Sequence, residues 1–97
     1  MFARVSRYQV EPDRLDEAVE GFREASSALA ELDGAAGGYL LVDWETGSAI
    51  TITLWDSRNA LDASDTRAAS LRRRAMAASA GTVQAVEKYE VAVEFET

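Results

Sequence analysis

The sequence contains no cysteine and no histidine. The first absence removes thiol nucleophiles and disulfides; the second removes the commonest metal ligand and the commonest general base. Zinc centres and Ser-His-Asp triads are therefore excluded, no metal site is expected, and nothing argues for an oxidising compartment. A single proline and six glycines in 97 residues speak against a disordered or fibrous chain. No apolar run approaches a membrane span, and the opening "MFARVSRYQV", with two arginines and no apolar core, does not read as a signal peptide. The cytoplasm is the expected compartment. Basic residues are also scarce: 10 against 17 acids give a net charge of -7, which disfavours a nucleic-acid partner. The arginines of "TRAASLRRRAM" point in different directions around a helix and read as a solvated face.

What is present is an ordinary globular composition, 47% hydrophobic and 28% charged, of a length that suits one domain over residues 1–97. Phe2 to Val10 reads as a strand. Glu11-Pro12-Asp13 opens a helix whose apolar positions Leu15, Ala18, Val19, Phe22, Leu29 and Leu32, with Ser26 as the polar member, keep a helical period up to Asp33-Gly34. "GAAGG" reads as a loop. Tyr39 to Glu45 and Ala49 to Trp55 form two strands around "ETGS", a hairpin signal. Asp56 or Ser57 caps a second helix with a thin stripe of Leu61, Ser64, Ala68, Leu71, Ala75 and Ala78; Gly81 stops it, and Val83 to Phe95 reads as a long last strand. The order strand-helix-strand, twice over, gives an α+β ferredoxin-like fold: βαββαβ, a four-stranded antiparallel sheet with both helices on one face.

An odd-numbered hairpin loop, with Gly47 in a bulge, places Leu40, Val42 and Trp44 on one face with Ile50, Ile52 and Leu54. Tyr39, Leu41 and Asp43 then share the other face with Ala49, Thr51, Thr53 and Trp55. If the helices cover the second face, the first presents six large apolar side chains to water, each worth about 1.5–3 kcal/mol when buried. That patch predicts a homodimer built sheet against sheet, with Trp44 as an interface anchor and the long last strand contributing across the two-fold axis.

The stretch "LWDSRNAL", residues 54–61, resembles the antibiotic biosynthesis monooxygenase family: a strand ending in Trp, an acid, Ser, two variable residues, then Ala and a large apolar residue. "VEPDRLDEAVEGF" resembles the family's first helix entry and "DGAAGGYLL" its loop into the second strand, so the likeness covers nearly the whole chain. It implies a dimeric α/β barrel with a pocket between sheet and helices, in which an electron-rich aromatic is oxygenated without metal or flavin. The pocket-lining Trp of the family matches Trp55. The Asn expected four residues earlier is Thr51, whose hydroxyl offers a single donor where an amide offers two. Ala35 is smaller than the residue usual in that loop. In the haem-degrading branch a Trp on the second helix and a nearby His act together; Ser64 falls near that Trp and the chain has no His, so haem degradation is not expected.

The expected substrate-binding residues are Trp55, stacking on the ring; Thr51 and Tyr39, contacting its oxygens; and Arg72, holding an anionic oxygen. Each has a plainer alternative. Trp55 and Tyr39 could be core; Arg72 could pair with Asp65. Tyr8 and Tyr89 are weaker candidates of the Tyr39 kind, Asp43 is an acid or a solvated hairpin end, and Asn59 belongs to the cap. No catalytic residue stands out. The rival function is a non-catalytic dimeric module that binds a small molecule or serves as a scaffold.

Overall fold

A computed structural model describes residues 1–97. Eight elements follow in order: strand β1 (Phe2–Gln9), a 3₁₀ turn (Pro12–Arg14), helix α1 (Leu15–Leu29), strands β2 (Ala35–Val42) and β3 (Ser48–Trp55), helices α2 (Arg58–Ala63) and α3 (Asp65–Ser79), and strand β4 (Thr82–Glu90). The strands form one antiparallel sheet in the order β2-β3-β1-β4. This is the ferredoxin-like arrangement that the sequence predicts. No helix is long and apolar enough to cross a membrane.

Local chemistry explains the boundaries. Pro12 stands at the start of the first helical segment, where its missing N–H costs nothing. Ser57 is the cap of α2: its Oγ accepts from the Ala60 amide at 3.1 Å. The second helical stretch is two helices, because the Ser64 hydroxyl donates to the Leu61 carbonyl at 2.7 Å and the chain turns there before α3 begins. The interior of α1 is Leu15, Ala18, Phe22 and Ala25; Ala25 turns inward and Ser26 outward. On the other helices Leu61, Ala68, Leu71, Ala75 and Met76 are buried.

Three sequence-based expectations need correction. First, "GAAGG" is not a loop: β2 starts at Ala35, and its pairing with β3 slips between Ala35 and Gly37, the bulge that glycine in a strand often marks. Second, the β2–β3 register puts Leu40 opposite Thr51 and Val42 opposite Ala49, so an even number of residues lies in the hairpin loop, not an odd one. Gly47, at φ +81°, donates to the Asp43 carbonyl, and the Asp43 carboxylate accepts from the Glu45 and Thr46 amides. The tight turn therefore leaves β2 one residue out of the expected phase. Leu40 and Val42 face the helices and pack against the core, while Tyr39 and Leu41 share the open face with Ile50 and Ile52. Trp44 lies in the turn itself. Of the six residues expected on the open face, Ile50, Ile52 and Leu54 remain there; Leu40, Val42 and Trp44 do not.

Third, the last strand ends at Glu90 rather than Phe95. Glu90 pairs with Phe2, and the Val91 amide reaches the Met1 carbonyl, so β1 offers nothing further to pair with. Val93 and Phe95 beyond it are more than three-quarters exposed.

Candidate functional site

Strand alternation sends Arg4, Ser6 and Tyr8 of β1 toward the helices, beside Thr53, Thr51 and Ala49 of β3. All three β1 residues are buried. Helix α1 lies against α3 far more than against β2. Between α1, α3 and the β2–β3 half of the sheet a cleft of about 650 Å³ stays open, within the range of small-molecule sites.

The expected ligand contacts converge on this cleft. Trp55, Thr51, Tyr39 and Arg72 all line it, as do Leu40, Val42 and Trp44, which the register moved to this side. Their positions differ in kind. Trp55 is almost fully buried and its indole N–H donates to Thr53 Oγ1 at 3.0 Å, so the ring is at once core and wall, and its donor is already used. Thr51 Oγ1 shares a hydrogen bond with Tyr8 Oη at 3.2 Å, with either as donor. Tyr8 also meets the Phe22 ring at 4.9 Å between centroids. Tyr39 belongs to the open face by register and is two-thirds exposed, so it reaches the cleft only at the rim. Arg72 is half-buried and makes no ion pair; Asp65, its anticipated partner, is taken by Arg4 and Lys88.

Asp43 is a turn-capping carboxylate, as its hydrogen bonds to the Glu45 and Thr46 amides define. Asn59 lies in the first turn of α2 and Tyr89 on the open face, where its hydroxyl donates to Glu87 at 2.9 Å. Neither lines the cleft.

Arg4 is the residue that sequence reasoning passed over. It is 4% exposed, and its guanidinium carbon lies 5.8 Å from the Trp55 ring centroid, within cation–π reach. Nη2 donates to the Leu61 carbonyl at 3.0 Å and to Asp65. Nη1 is the one buried side-chain nitrogen or oxygen without a hydrogen-bond partner. Its signal was available: Arg4 stands in phase with Ser6, Tyr8 and Val10, and the last two are plainly core-forming types. Asp65 is shared in turn with Lys88, which also holds Asp62 at 2.8 Å. Hydrogen bonds from Lys88 are the largest influence lowering both aspartate pKa values, and the bond to Asp62 the largest raising that of Lys88.

Comparison with known proteins places this architecture. The chain is similar in fold to an antibiotic biosynthesis monooxygenase, with a TM-score of 0.69 and 21% identity over 96% of this chain and all of that one. It is similar to SnoaB, a cofactor-independent oxygenase from Streptomyces nogalater, with a TM-score of 0.72 and 19% identity over 99% of this chain and 97% of that one. It is also similar to MhuD, a haem degrader of Mycobacterium tuberculosis solved with two haems in its active site, with a TM-score of 0.78 and 18% identity over 99% and 100% of the two chains. At these identities the likeness defines the fold: that of the antibiotic biosynthesis monooxygenases, as the resemblance at residues 54–61 implies. No protein-family model matches the chain.

Two uncharacterised proteins of Mycobacterium tuberculosis H37Rv are nearer in sequence. Rv2558 is 33% identical over 94 residues and Rv2557 31% identical over 93. The matches cover 96% and 95% of this chain but only 39% and 41% of those proteins, so the chain spans about two-fifths of the length of the relatives it matches.

Proposed function

We propose that the cleft binds a small electron-rich aromatic molecule, and that the protein acts on it as an oxygenase or quinol oxidase; the oxygenases among its fold neighbours support the first. The single observation that carries this reading is the cleft itself: about 650 Å³ of space where a scaffold would have filled core, walled by the Trp55 ring and by Phe22, Leu40 and Leu71. A flat apolar ligand would replace water against those side chains. Its oxygens would meet the Tyr8–Thr51 hydroxyl pair, with Tyr39 and Arg72 at the mouth.

No Asp, Glu or His lines the cleft, so no obvious general base faces the ligand. A substrate suited to this site brings its electrons in an already ionised or easily ionised form, as a phenol or quinol does, and molecular oxygen serves as the oxidant. The reading requires no metal or flavin. Haem breakdown fits less well, since the chain has no histidine for the iron and Ser64 is engaged in the α2–α3 turn.

A second reading is favoured by the Tyr8–Thr51 pair. Both hydroxyls are partly spent on each other, and the amide of the family is missing at position 51. A non-catalytic module that binds the same class of molecule needs no more than this. Oxygen consumption with a panel of naphthoquinols separates the two. Thr51→Asn is expected to raise turnover several-fold; no turnover in either form, with binding retained, leaves the module.

The protein is further proposed to be a homodimer. The open face carries Val5, Leu41, Ile50, Ile52 and Leu54 with Tyr39 and Tyr89 at its margins, and a second sheet placed on it would bury several of these at about 1.5–3 kcal/mol each. The exposed Val93 and Phe95 of the tail would find cover on the partner.

A further inference from the structure

We propose that the molecule taken up by the cleft is an anion, an aromatic monocarboxylate, and that Arg4 is the residue that holds its charge. This rests on the reading of the cleft as a ligand site and adds to it the charge of the ligand and the position of its anchor.

The first argument is an unfilled valence. A buried donor without a partner carries a desolvation penalty that no bond offsets, and the penalty grows when the group is charged. Arg4 meets its structural duties with Nη2 alone, which ties β1 to the Leu61 carbonyl and to Asp65. Nη1 has no structural task, yet it belongs to a residue that lines the cleft and lies over Trp55. An anionic oxygen arriving from the cleft side satisfies it.

The second argument is the charge of the walls. The chain carries 17 acidic residues against 10 basic ones. The cleft inverts this balance: Arg4, Arg23 and Arg72 line it and no Asp or Glu does. Arg23 is answered by Glu20 and stands exposed, but Arg72 has no ion-pair partner. A cavity of that polarity inside an acidic protein repels neither a carboxylate nor a phenolate, and it disfavours cations.

The third argument sets the number of charges. Arg4 belongs to a connected cluster in which Asp65 pairs with Arg4 and Lys88, and Asp62 with Lys88 and Arg58. Three cations share two carboxylates, leaving a surplus of one positive charge. With one buried guanidinium nitrogen unpaired and a surplus of one charge, a monoanion fits better than a phosphate, which brings more charge and calls for more donors.

The test compares 2-naphthoate with its neutral isostere 2-naphthamide by titration calorimetry at pH 7. Wild-type protein is expected to bind the naphthoate about 10–100-fold more tightly, the gain of one charge-assisted hydrogen bond. Arg4→Gln should abolish that preference, so that naphthoate binds this variant no more tightly than naphthamide; Arg72→Gln should keep most of it. A thermal melt monitors folding of both variants. Should Arg4→Gln not fold, the wild-type comparison at 0.05 and 0.5 M salt decides, because a preference held at a buried site survives salt that erases a surface one. Equal affinity for the two probes overturns the anion assignment but leaves the cleft a binding site. Loss of preference in Arg72→Gln with retention in Arg4→Gln moves the charge to the rim and also overturns it. Binding of neither probe overturns this inference, and failure of quinols and other neutral aromatics as well removes the reading beneath it. Tighter binding of 2-naphthol than of naphthoate reassigns the anchor to a phenolic oxygen.

Discussion

The two faces of the sheet differ in where their polar groups lie. The covered face sets Arg4, Ser6, Tyr8, Thr51 and Thr53 among Leu40, Val42, Ala49 and Trp55, and the open one carries Val5, Leu41, Ile50, Ile52 and Leu54 beside the Arg7–Glu87 ion pair. A band of polar side chains is thus held inside, and a row of apolar ones stands outside. The inward polarity is intelligible once the space above it is counted: hydroxyls and a guanidinium face a cleft, not a packed core, and bond one another meanwhile. The outward apolarity calls for a partner. The two proposals therefore rest on opposite faces, the ligand on the covered one and the second copy on the open one.

Breaking the open face is expected to have the largest effect. Ile52→Lys removes one apolar side chain from each half of a two-fold interface and places a charge there. Dimer affinity should fall by about two to four decades, read by analytical ultracentrifugation. Wild-type protein sedimenting as a single chain at micromolar concentration would end the dimer reading.

The register that assigns residues to faces depends on Gly47. A Cβ there would collide with the Val10 carbonyl oxygen, at a backbone angle of φ +81° that L-residues resist. Gly47→Ala is expected to cost about 2–3 kcal/mol and to lower the melting temperature by roughly 10–20 °C. A melting temperature within two degrees of wild type would show that the turn does not fix the register.

On the covered face, Asp65→Asn removes the carboxylate charge that answers Arg4 and leaves only neutral acceptors, the Leu61 carbonyl and an amide oxygen. Asp65 is half exposed, so the expected loss is about 1–2 kcal/mol rather than that of a fully buried pair. If Arg4 is an anion anchor, the same substitution tightens naphthoate binding, since it removes the competing carboxylate.

The smallest effect concerns pH. Asp62 and Asp65 have lowered pKa values in the folded protein, so their contribution is present above the unfolded value near 4 and is lost as pH falls through the folded values. Lys88, raised, contributes fully below about 10.4 and loses its contribution as pH climbs through its folded value. Melting temperature should be level from about pH 5 to 9, with Lys88→Met flattening both limbs by a few degrees at most because these groups are exposed.

The element order was legible because both periodicities are clean: the strands alternate and α1 carries a regular apolar stripe. Trp55, Thr51 and Arg72 reached the cleft as expected because β3 and α3 were read in phase. The errors gathered in β2 and at the end of β4. Its glycines disguised the start of a strand, and a turn one residue different in length exchanged Leu40 and Val42 with Tyr39 and Leu41. Arg4 was missed for another reason: a charge in a strand is ordinarily solvated, and only the carbonyl of Leu61 and the carboxylate of Asp65, nearly sixty residues away, make its burial tolerable.

The seam between α1 and α3 has a last implication. Gly21 lets the helices come together so closely that an added Cβ would meet the Ala75 backbone at 3.2 Å, whereas α1 barely touches β2. Tight approach along one margin and little along the other leaves a wedge of space above β2 and β3, so the spacing of Gly21 and Ala75 sets how thick a guest the wedge can take.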